Sequence, residues 1–302
     1  MRIQAGERPT TTTHARAKVN LALSVGPPRD GDGMHPIASW MARLDLADEL
    51  TLTRLDDGDL SRYAILWHEE AVRPTDIDWS ITKDLAVRAH LALQEHLGRE
   101  LPVQVKLEKR IPVGGGLGGG SADAAAMLRA LDELFSLDLD HDTLVGIASG
   151  LGSDVAYCLL DGPAVVEGLG ESLEPTPALS GDVLLIVPPF GCGTGAVYRA
   201  YDESPGALRE DEVRAMARSG TVDGAALFND LADPARRVSP ALDALLERLG
   251  AIAGDGPRVH VTGSGSTCFA YASADERAGL FALADAIEDQ LEDVRVLVCS
   301  LS

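Results

Sequence analysis

Between residues 114 and 120 the chain reads Gly-Gly-Gly-Leu-Gly-Gly-Gly, six glycines in seven positions. Such a run suits neither a helix nor a strand, because glycine gives up more backbone freedom on ordering than any other residue. It suits a loop whose bare N–H groups come close to a ligand where a Cβ would stand in the way. The flanks narrow the choice. Before the loop, "LPVQVKLEKRI" alternates apolar and polar residues with the period of a strand. After it, "SADAAAMLRALDELF" is rich in helix formers, with Ser121 as the expected N-cap and Asp123 in the first turn. Strand, glycine loop and helix start together make a cradle for a phosphate, since the helix end adds its partial positive charge to the loop amides. The alternative is a flexible connector, which has no reason to open onto a capped helix.

Two familiar phosphate loops compete for this pattern. The GxxxxGK[ST] loop fails, because Gly120 stands where a lysine should precede Ser121. The dinucleotide fingerprint GxGxxG is met by Gly114, Gly116 and Gly119, with Glu133 at a fitting distance for a ribose. Among so many glycines that match is nearly automatic, and the next segment reads as helix where a Rossmann unit needs its second parallel strand.

Elsewhere the pattern predicts strands and helices interleaved in two domains, residues 1–163 and 164–302, with the last strand able to return to the first domain. From Ala15 to Val25 the odd positions are apolar while Arg16, Lys18, Asn20 and Ser24 occupy even ones, which predicts a half-buried strand with Lys18 and Asn20 on one face. "TTTT" at 10–13 reads as a polar lead-in, and "GPPRDGDG" as a turn before Met34, His35 and a strand ending near "ELTLTRL". "DLAVRAHLALQEHLG" predicts a helix capped by Asp84 and stopped by Gly98. A further helix lies near "HDTLVGIASG", ahead of a Gly-Ser-Asp turn. The second half offers strands at "DVLLIV", "RVHVTG", "TCFAYA" and "VRVLVC", and helices near 194–203, 207–218, 239–249 and 274–291.

Charge excludes some partners. With 26 Lys and Arg against 47 Asp and Glu the net charge is −21, a field that repels nucleic acid and anionic membranes. No run approaches the roughly 20 apolar residues of a membrane span, and the first residues lack a signal peptide's apolar stretch, so a cytoplasmic protein is expected. Cys158, Cys192, Cys268 and Cys299 lie far apart without zinc spacing, which suggests neither a metal nor a disulfide framework. Lysines number four, Lys18, Lys83, Lys106 and Lys109, so a catalytic lysine has few candidates.

Three motifs, "ARAKVNLALSV", "PVGGGLGGGSADAA" and "VTGSGSTCFA", occur in the order and spacing that mark the GHMP kinase superfamily, and the resemblance extends over nearly the whole chain. It implies an α+β fold of two domains, the first like ribosomal protein S5 and the second ferredoxin-like, with the active site between them. "RDGDGMHPI", "LGSDVAY" and "LFNDL" resemble the branch that acts in the non-mevalonate isoprenoid route. The implied reaction is transfer of the ATP γ-phosphoryl to the tertiary 2-hydroxyl of 4-diphosphocytidyl-2-C-methyl-D-erythritol.

By that resemblance Lys18 and Asp154 match the two catalytic positions. Pro112, Gly114, Gly115, Gly116, Leu117, Gly118, Gly119, Gly120, Ser121 and Ala122 surround ATP, with Ser121 near Mg²⁺. Asn20, Gly263, Ser264 and Gly265 border the acceptor, His35 matches the residue that bonds the cytosine edge, and Phe190 is the candidate to stack on that base. The chain departs from the pattern at Met34, where an aromatic is expected, at Ala156 and Tyr157, where Pro-Phe is expected, and at Asp84, where Asn is usual. Phosphorylation of another small alcohol such as mevalonate or homoserine, nicotinamide-dependent oxidoreduction, and a non-catalytic binding relative remain alternatives at this point.

Overall fold

The computed structural model describes residues 8–302, so the first seven residues of the N-terminal segment lie outside the described residues. In chain order the elements are β1 (Thr10–Val25), β2 (Ile37–Arg54), β3 (Arg62–Trp67), α1 (Leu85–Leu97), β4 (Val103–Lys109), α2 (Gly119–Phe135) and α3 (His141–Ser149). There follow β5 (Ala164–Gly168), β6 (Ser172–Pro175), β7 (Asp182–Val187), α4 (Thr194–Tyr201), α5 (Glu210–Arg218), β8 (Phe228–Asn229) and α6 (Ala232–Val238). The chain ends with α7 (Pro240–Ala253), β9 (Val259–Val261), β10 (Cys268–Ala272), α8 (Arg277–Gln290) and β11 (Arg295–Ser300). This is the α+β architecture read from the sequence.

A seven-stranded sheet is built around β2, whose length lets it serve two partners on one edge. Its first residues pair with β5 and its last with β4, while β1 runs antiparallel along the other edge. The order is β3-β4-β2-β1-β8, with β6 added outside β5. The "TTTT" stretch is no lead-in: Thr10 and Thr12 pair through their hydroxyls with Thr53 and Thr51 at 3.1 and 3.0 Å. β-Branched residues suit a pleated surface, and cross-strand threonine pairs add to it. A second sheet of four antiparallel strands, β11-β7-β10-β9, is backed by α7 and α8.

The expected division after residue 163 does not coincide with the sheets. The β5–β6 hairpin and β8 belong to the first sheet, because β5 pairs with β2, and β8 with β1, through the backbone hydrogen-bonding groups of their edges. The last strand stays in the second sheet beside β7, and its end bridges to the first, where Leu301 pairs with Leu44.

One face of β1 and β2 packs directly on the second sheet. Ala17, Val19, Leu21 and Trp40 meet Val183, Leu185 and Phe269 in one core. The opposite face takes α1 and α2 in a core rich in alanine and leucine. A strand so covered is not half-buried, as its alternation suggests; from Ala17 onward β1 is buried on both faces, Lys18 (3% exposed) and Asn20 (2%) included. Loops from two distant segments cover its polar face, and they form the site.

Candidate functional site

Asp48 on β2 fixes where the glycine loop begins. Its Oδ1 accepts from the backbone N–H groups of Arg110 and Ile111 at 2.5 and 2.7 Å, just after β4 ends. The loop runs from there to Gly118, which caps α2 in the left-handed region at φ 69°. Ser121, expected as that cap, instead lies in the first turn of α2. The N–H groups of Gly119, Gly120 and Ser121 are therefore those that a helix leaves without an intrahelical acceptor. They line a cavity of about 450 Å³, together with Pro112, Leu117, Trp79, Lys83, Asp84, Lys109 and Asp123. Ala122, placed around ATP by the sequence pattern, is buried in the core behind this wall.

A second loop, Gly263–Thr267 between β9 and β10, locks onto the first. Thr267 N–H donates to the Gly115 carbonyl at 3.2 Å, and Gly265 N–H to the Thr262 carbonyl at 3.0 Å. The contact leaves no room for a side chain at Gly116 (φ 80°), where a Cβ would stand 2.3 Å from the Thr262 carbonyl oxygen. Asn229, in the "LFNDL" stretch, donates from Nδ2 to the carbonyls of Val261 and Gly263 at 2.8 and 2.7 Å.

Lys18 and Asn20 lie where these loops meet β1. Register shifts fall on either side of them, between Arg16 and Lys18 and between Asn20 and Ala22, and such bulges re-aim side chains. The Lys18 ammonium donates to Asn20 Oδ1 at 2.7 Å and stands 3.3 Å from Asp154 Oδ2. Asn20 Nδ2 donates to Ser39 Oγ at 2.8 Å, and the Lys18 N–H to the Leu117 carbonyl at 2.9 Å, so the lysine is fixed at both ends. Asp154 is no helix cap: the 3₁₀ turn Tyr157–Leu159 starts from Ala156, with no side-chain cap.

A cavity of about 210 Å³ is lined by Lys18, Asn20, Asp154, Tyr198, Gly263 and Ser264 among others. Gly116, Gly118 and Thr194 line both this cavity and the larger one. Two ligands, one in each, would meet at the Lys18–Asp154 pair. Gly265 packs behind the wall against Val261 and Leu242.

The aromatic residue at the smaller cavity is Tyr198 on α4. The His35 ring lies 4.9 Å from that of Tyr198 and 5.9 Å from that of Tyr201, and His35 Nε2 pairs with Asp202 Oδ1 at 2.6 Å. Burial, and then the nearby Asp154 carboxylate, push the Tyr198 hydroxyl up to about 12, so it stays protonated. Phe190 is not brought to this place; it lines a separate cavity of about 100 Å³ with Pro112, Val113 and Thr267. Met34 is 50% exposed and turned outward beside the Arg29–Asp32 pair. Tyr198 and Tyr201, three residues apart after "VPPFGCG", were the signal for an aromatic helix face here.

The departure at Asp84 has a structural reason. Its Oδ1 accepts from Ala86 N–H at 2.9 Å and caps α1, while Oδ2 accepts from the Trp79 indole at 3.1 Å and holds that ring in the cavity wall. The four cysteines are free and buried, and Cys158 is pushed up to about 12 by burial and the Asp154 charge.

Residues 84–162 match the family model described as GHMP kinases N terminal domain. The chain is 38% identical over 304 residues to the 4-diphosphocytidyl-2-C-methyl-D-erythritol kinase of Caulobacter sp. (strain K31), covering 95% of this chain and 97% of that one. It is 36% identical to the enzyme of the same name from Caulobacter vibrioides (strain NA1000 / CB15N), over 95% and 98% of the two chains. A crystal structure of 4-(cytidine 5'-diphospho)-2C-methyl-D-erythritol kinase superposes with a TM-score of 0.73 at 30% identity, covering 97% of this chain and 99% of that one. The chain belongs to the 4-diphosphocytidyl-2-C-methyl-D-erythritol kinase family of GHMP kinases.

Proposed function

We propose that this protein transfers the γ-phosphoryl group of ATP to the tertiary 2-hydroxyl of 4-diphosphocytidyl-2-C-methyl-D-erythritol, a step of isoprenoid precursor synthesis. The observation that carries the reading is the Lys18–Asp154 pair set where two cavities share Gly116, Gly118 and Thr194. ATP lies in the larger cavity, its phosphates against the amides of the glycine loop and the start of α2. The acceptor hydroxyl lies in the smaller one, with the cytosine toward Tyr198 and His35.

Phosphoryl transfer asks mainly for alignment and charge stabilisation. Asp154 takes or orients the hydroxyl proton, while Lys18 stabilises the charge that grows on the attacking oxygen and the phosphoryl group. Asn20 keeps the ammonium from collapsing fully onto Asp154, since Lys18 is nearer to Asn20 Oδ1 than to the carboxylate. Among the described residues no group of three or more His, Cys, Asp or Glu side chains forms a metal cage. That suits Mg²⁺, which keeps several waters and binds chiefly through substrate phosphates, with Ser121 at the cavity wall to meet it. When bound, the ion neutralises phosphate charge.

The nicotinamide alternative lacks its architecture. Around the glycine loop the sheet runs β4-β2-β1 antiparallel, not as the parallel βαβ unit that dinucleotides require. No helix among the described residues is long and apolar enough to cross a membrane; the cytoplasm, where ATP is plentiful, is the compartment we assign. The test is ADP release by purified protein offered 4-diphosphocytidyl-2-C-methyl-D-erythritol, mevalonate or homoserine. Turnover with either of the latter two alone would refute the assignment of the acceptor.

A further inference from the structure

Directly across the strands from Lys18 stands a buried arginine that lines neither cavity of the site. Arg43 on β2 pairs with Lys18 on β1, and cross-strand partners share a face of the sheet. The two side chains hold opposite ends of one short segment. The Lys18 ammonium meets the carboxylate of Asp154 at 3.3 Å, where the segment starts. Arg43 Nη1 donates to the Leu160 carbonyl at 2.7 Å and Nη2 to the Cys158 carbonyl at 3.1 Å, where it ends. Between these ends the backbone is tightly wound. Cys158 N–H donates to the Asp154 carbonyl at 3.1 Å, Leu159 N–H to that of Ala156 at 3.1 Å, and Leu160 N–H to that of Tyr157 at 2.9 Å.

The last carbonyls of such a turn find no donor within it. Here all three are taken by guanidinium groups, because Arg129 on α2 donates from Nη2 to the Leu159 carbonyl between the two that Arg43 holds. The two arginines are not equivalent. Arg129 reaches in from the surface with its side chain 37% exposed, whereas that of Arg43 is 8% exposed and rises from the strand hydrogen-bonded to the one that carries Lys18. For stability alone Arg43 is a costly choice. The one carboxylate within 4 Å of it among the described residues is Asp161, 3.5 Å away and 85% exposed, and its Nε is buried without a partner. Burying a charge so incompletely paired costs free energy that an apolar side chain of similar length would not. What the guanidinium supplies instead is direction, two N–H groups in a rigid fork that fit two carbonyls two residues apart.

We propose that Arg43 is a positioning residue for phosphoryl transfer: by tying the Cys158 and Leu160 carbonyls to the strand beside Lys18, it sets where the Asp154 carboxylate stands relative to the Lys18 ammonium and the acceptor hydroxyl. It touches no reacting atom. The inference rests on the reading of Lys18 and Asp154 as the catalytic pair.

A double-mutant cycle on kcat tests it, with ATP and the cytidine acceptor saturating, over wild type, Arg43→Met, Asp154→Asn and the double variant. Arg43→Met releases the turn, and since a misplacement on the order of 1 Å costs about 10²-fold, kcat should fall by about 10- to 10²-fold while KM for ATP changes by less than about twofold. Because Arg43 acts through Asp154, its removal from Asp154→Asn should cost at most about half as many powers of ten as its removal from wild type. A residue that only supports the fold would cost the same in both backgrounds. The proposal is overturned if the cost in Asp154→Asn exceeds that half, if folded Arg43→Met loses less than about threefold in kcat, or if its loss lies in KM for ATP. Arg43→Lys separates direction from charge: it keeps the cation but offers one nitrogen where the fork offers two, so it should stay at least about threefold below wild type, and full recovery of kcat would also overturn the proposal. Should Arg43→Met not fold, Arg43→Lys is carried through the same cycle. Undiminished turnover in Asp154→Asn alone would instead refute the reading of the catalytic pair, and this proposal with it.

Discussion

Replacing Gly118 by alanine tests whether the glycine loop positions Lys18, the lysine proposed to act in catalysis, as well as the phosphates. Gly118 has φ 69°, where an L side chain costs about 1 kcal/mol or somewhat more. Its new Cβ would also stand 2.9 Å from Lys18 Cγ and 3.1 Å from Cε. Carbon atoms rest at about 3.5–4 Å, so the lysine stem must retreat by roughly half an ångström or more. It has little freedom to do so, because its N–H is bonded to Leu117 and its ammonium to Asn20. Displacements on the order of 1 Å in a reacting group cost about 10²-fold in rate.

Gly114→Ala supplies the control. That residue has φ 73°, so it carries the same backbone penalty, yet a Cβ there meets nothing within 4 Å. Both variants should melt a few degrees below wild type, at roughly 2–4 °C per kcal/mol for a chain somewhat smaller than this one. With ATP and acceptor saturating, ADP release should fall by about 10²-fold in Gly118→Ala and only slightly in Gly114→Ala. Equal kcat in the two variants would mean that backbone strain, not displacement of Lys18, sets the effect, and the reasoning would fail.

Asp154→Asn and Lys18→Met should each lower kcat by about 10²- to 10⁴-fold, with ATP affinity little changed in Asp154→Asn; retention of more than about a third of turnover there would remove Asp154 from the chemistry. Tyr198→Ala should raise KM for the cytidine acceptor about tenfold with kcat nearly constant, since a stacked base contributes roughly 1–3 kcal/mol, whereas Phe190→Ala should leave it alone. The opposite pattern would return the base to Phe190. Burial pulls His260 down to about 4 although it bonds the Gly224 carbonyl at 2.8 Å. The unfolded chain then takes up the proton first, so stability is full above about pH 6.5 and falls by up to about 3 kcal/mol as pH drops toward 4. His260→Gln should flatten that loss in denaturant titrations, and coincident wild-type and variant curves would count against it.

Local chemistry was legible in the sequence to the extent that it was local. The glycine loop sits between a strand and a helix as its flanks require, and the alternation around residue 18 put Lys18 and Asn20 on one face, where they bond. Period-two alternation distinguishes the faces of a strand but says nothing of what covers them. The polar face of β1 reads as solvated in the sequence, and it is buried because Leu117 and Thr262, from two other segments, bond to its backbone at Lys18 and Asn20. Ser121 has the right chemistry for a cap, yet the chain turns earlier at Gly118, where proximity to Lys18 excludes a side chain. Asp154 carries no local signal; it became a candidate only through the family pattern. Phe190 had the right residue type, but its loop lies on the far side of the glycine loop from the acceptor cavity.

Three residues without a role in the sequence reading share one physical property: each is a side chain bonded to the backbone of a distant segment. Asp48 holds the entrance of the glycine loop, Thr262 Oγ1 accepts from Asn20 N–H at 3.1 Å, and Asn229 gathers the Val261 and Gly263 carbonyls. None of these residues touches a reacting atom, but together they tie β1 and both glycine-rich loops into one frame. A glycine-rich loop with no such ties would spend its binding energy on ordering itself when the nucleotide arrives. Here the amides are placed in advance by carboxylate, hydroxyl and amide side chains, which are the residue types able to satisfy backbone groups that loops leave unpaired. The same reasoning explains why acidic residues recur so near an anion site in a chain of net charge −21. Asp48 and Asp84 are consumed by backbone and indole donors, and Asp123 accepts from the Lys109 ammonium, so the cavity wall is left with helix amides, hydroxyl and ammonium.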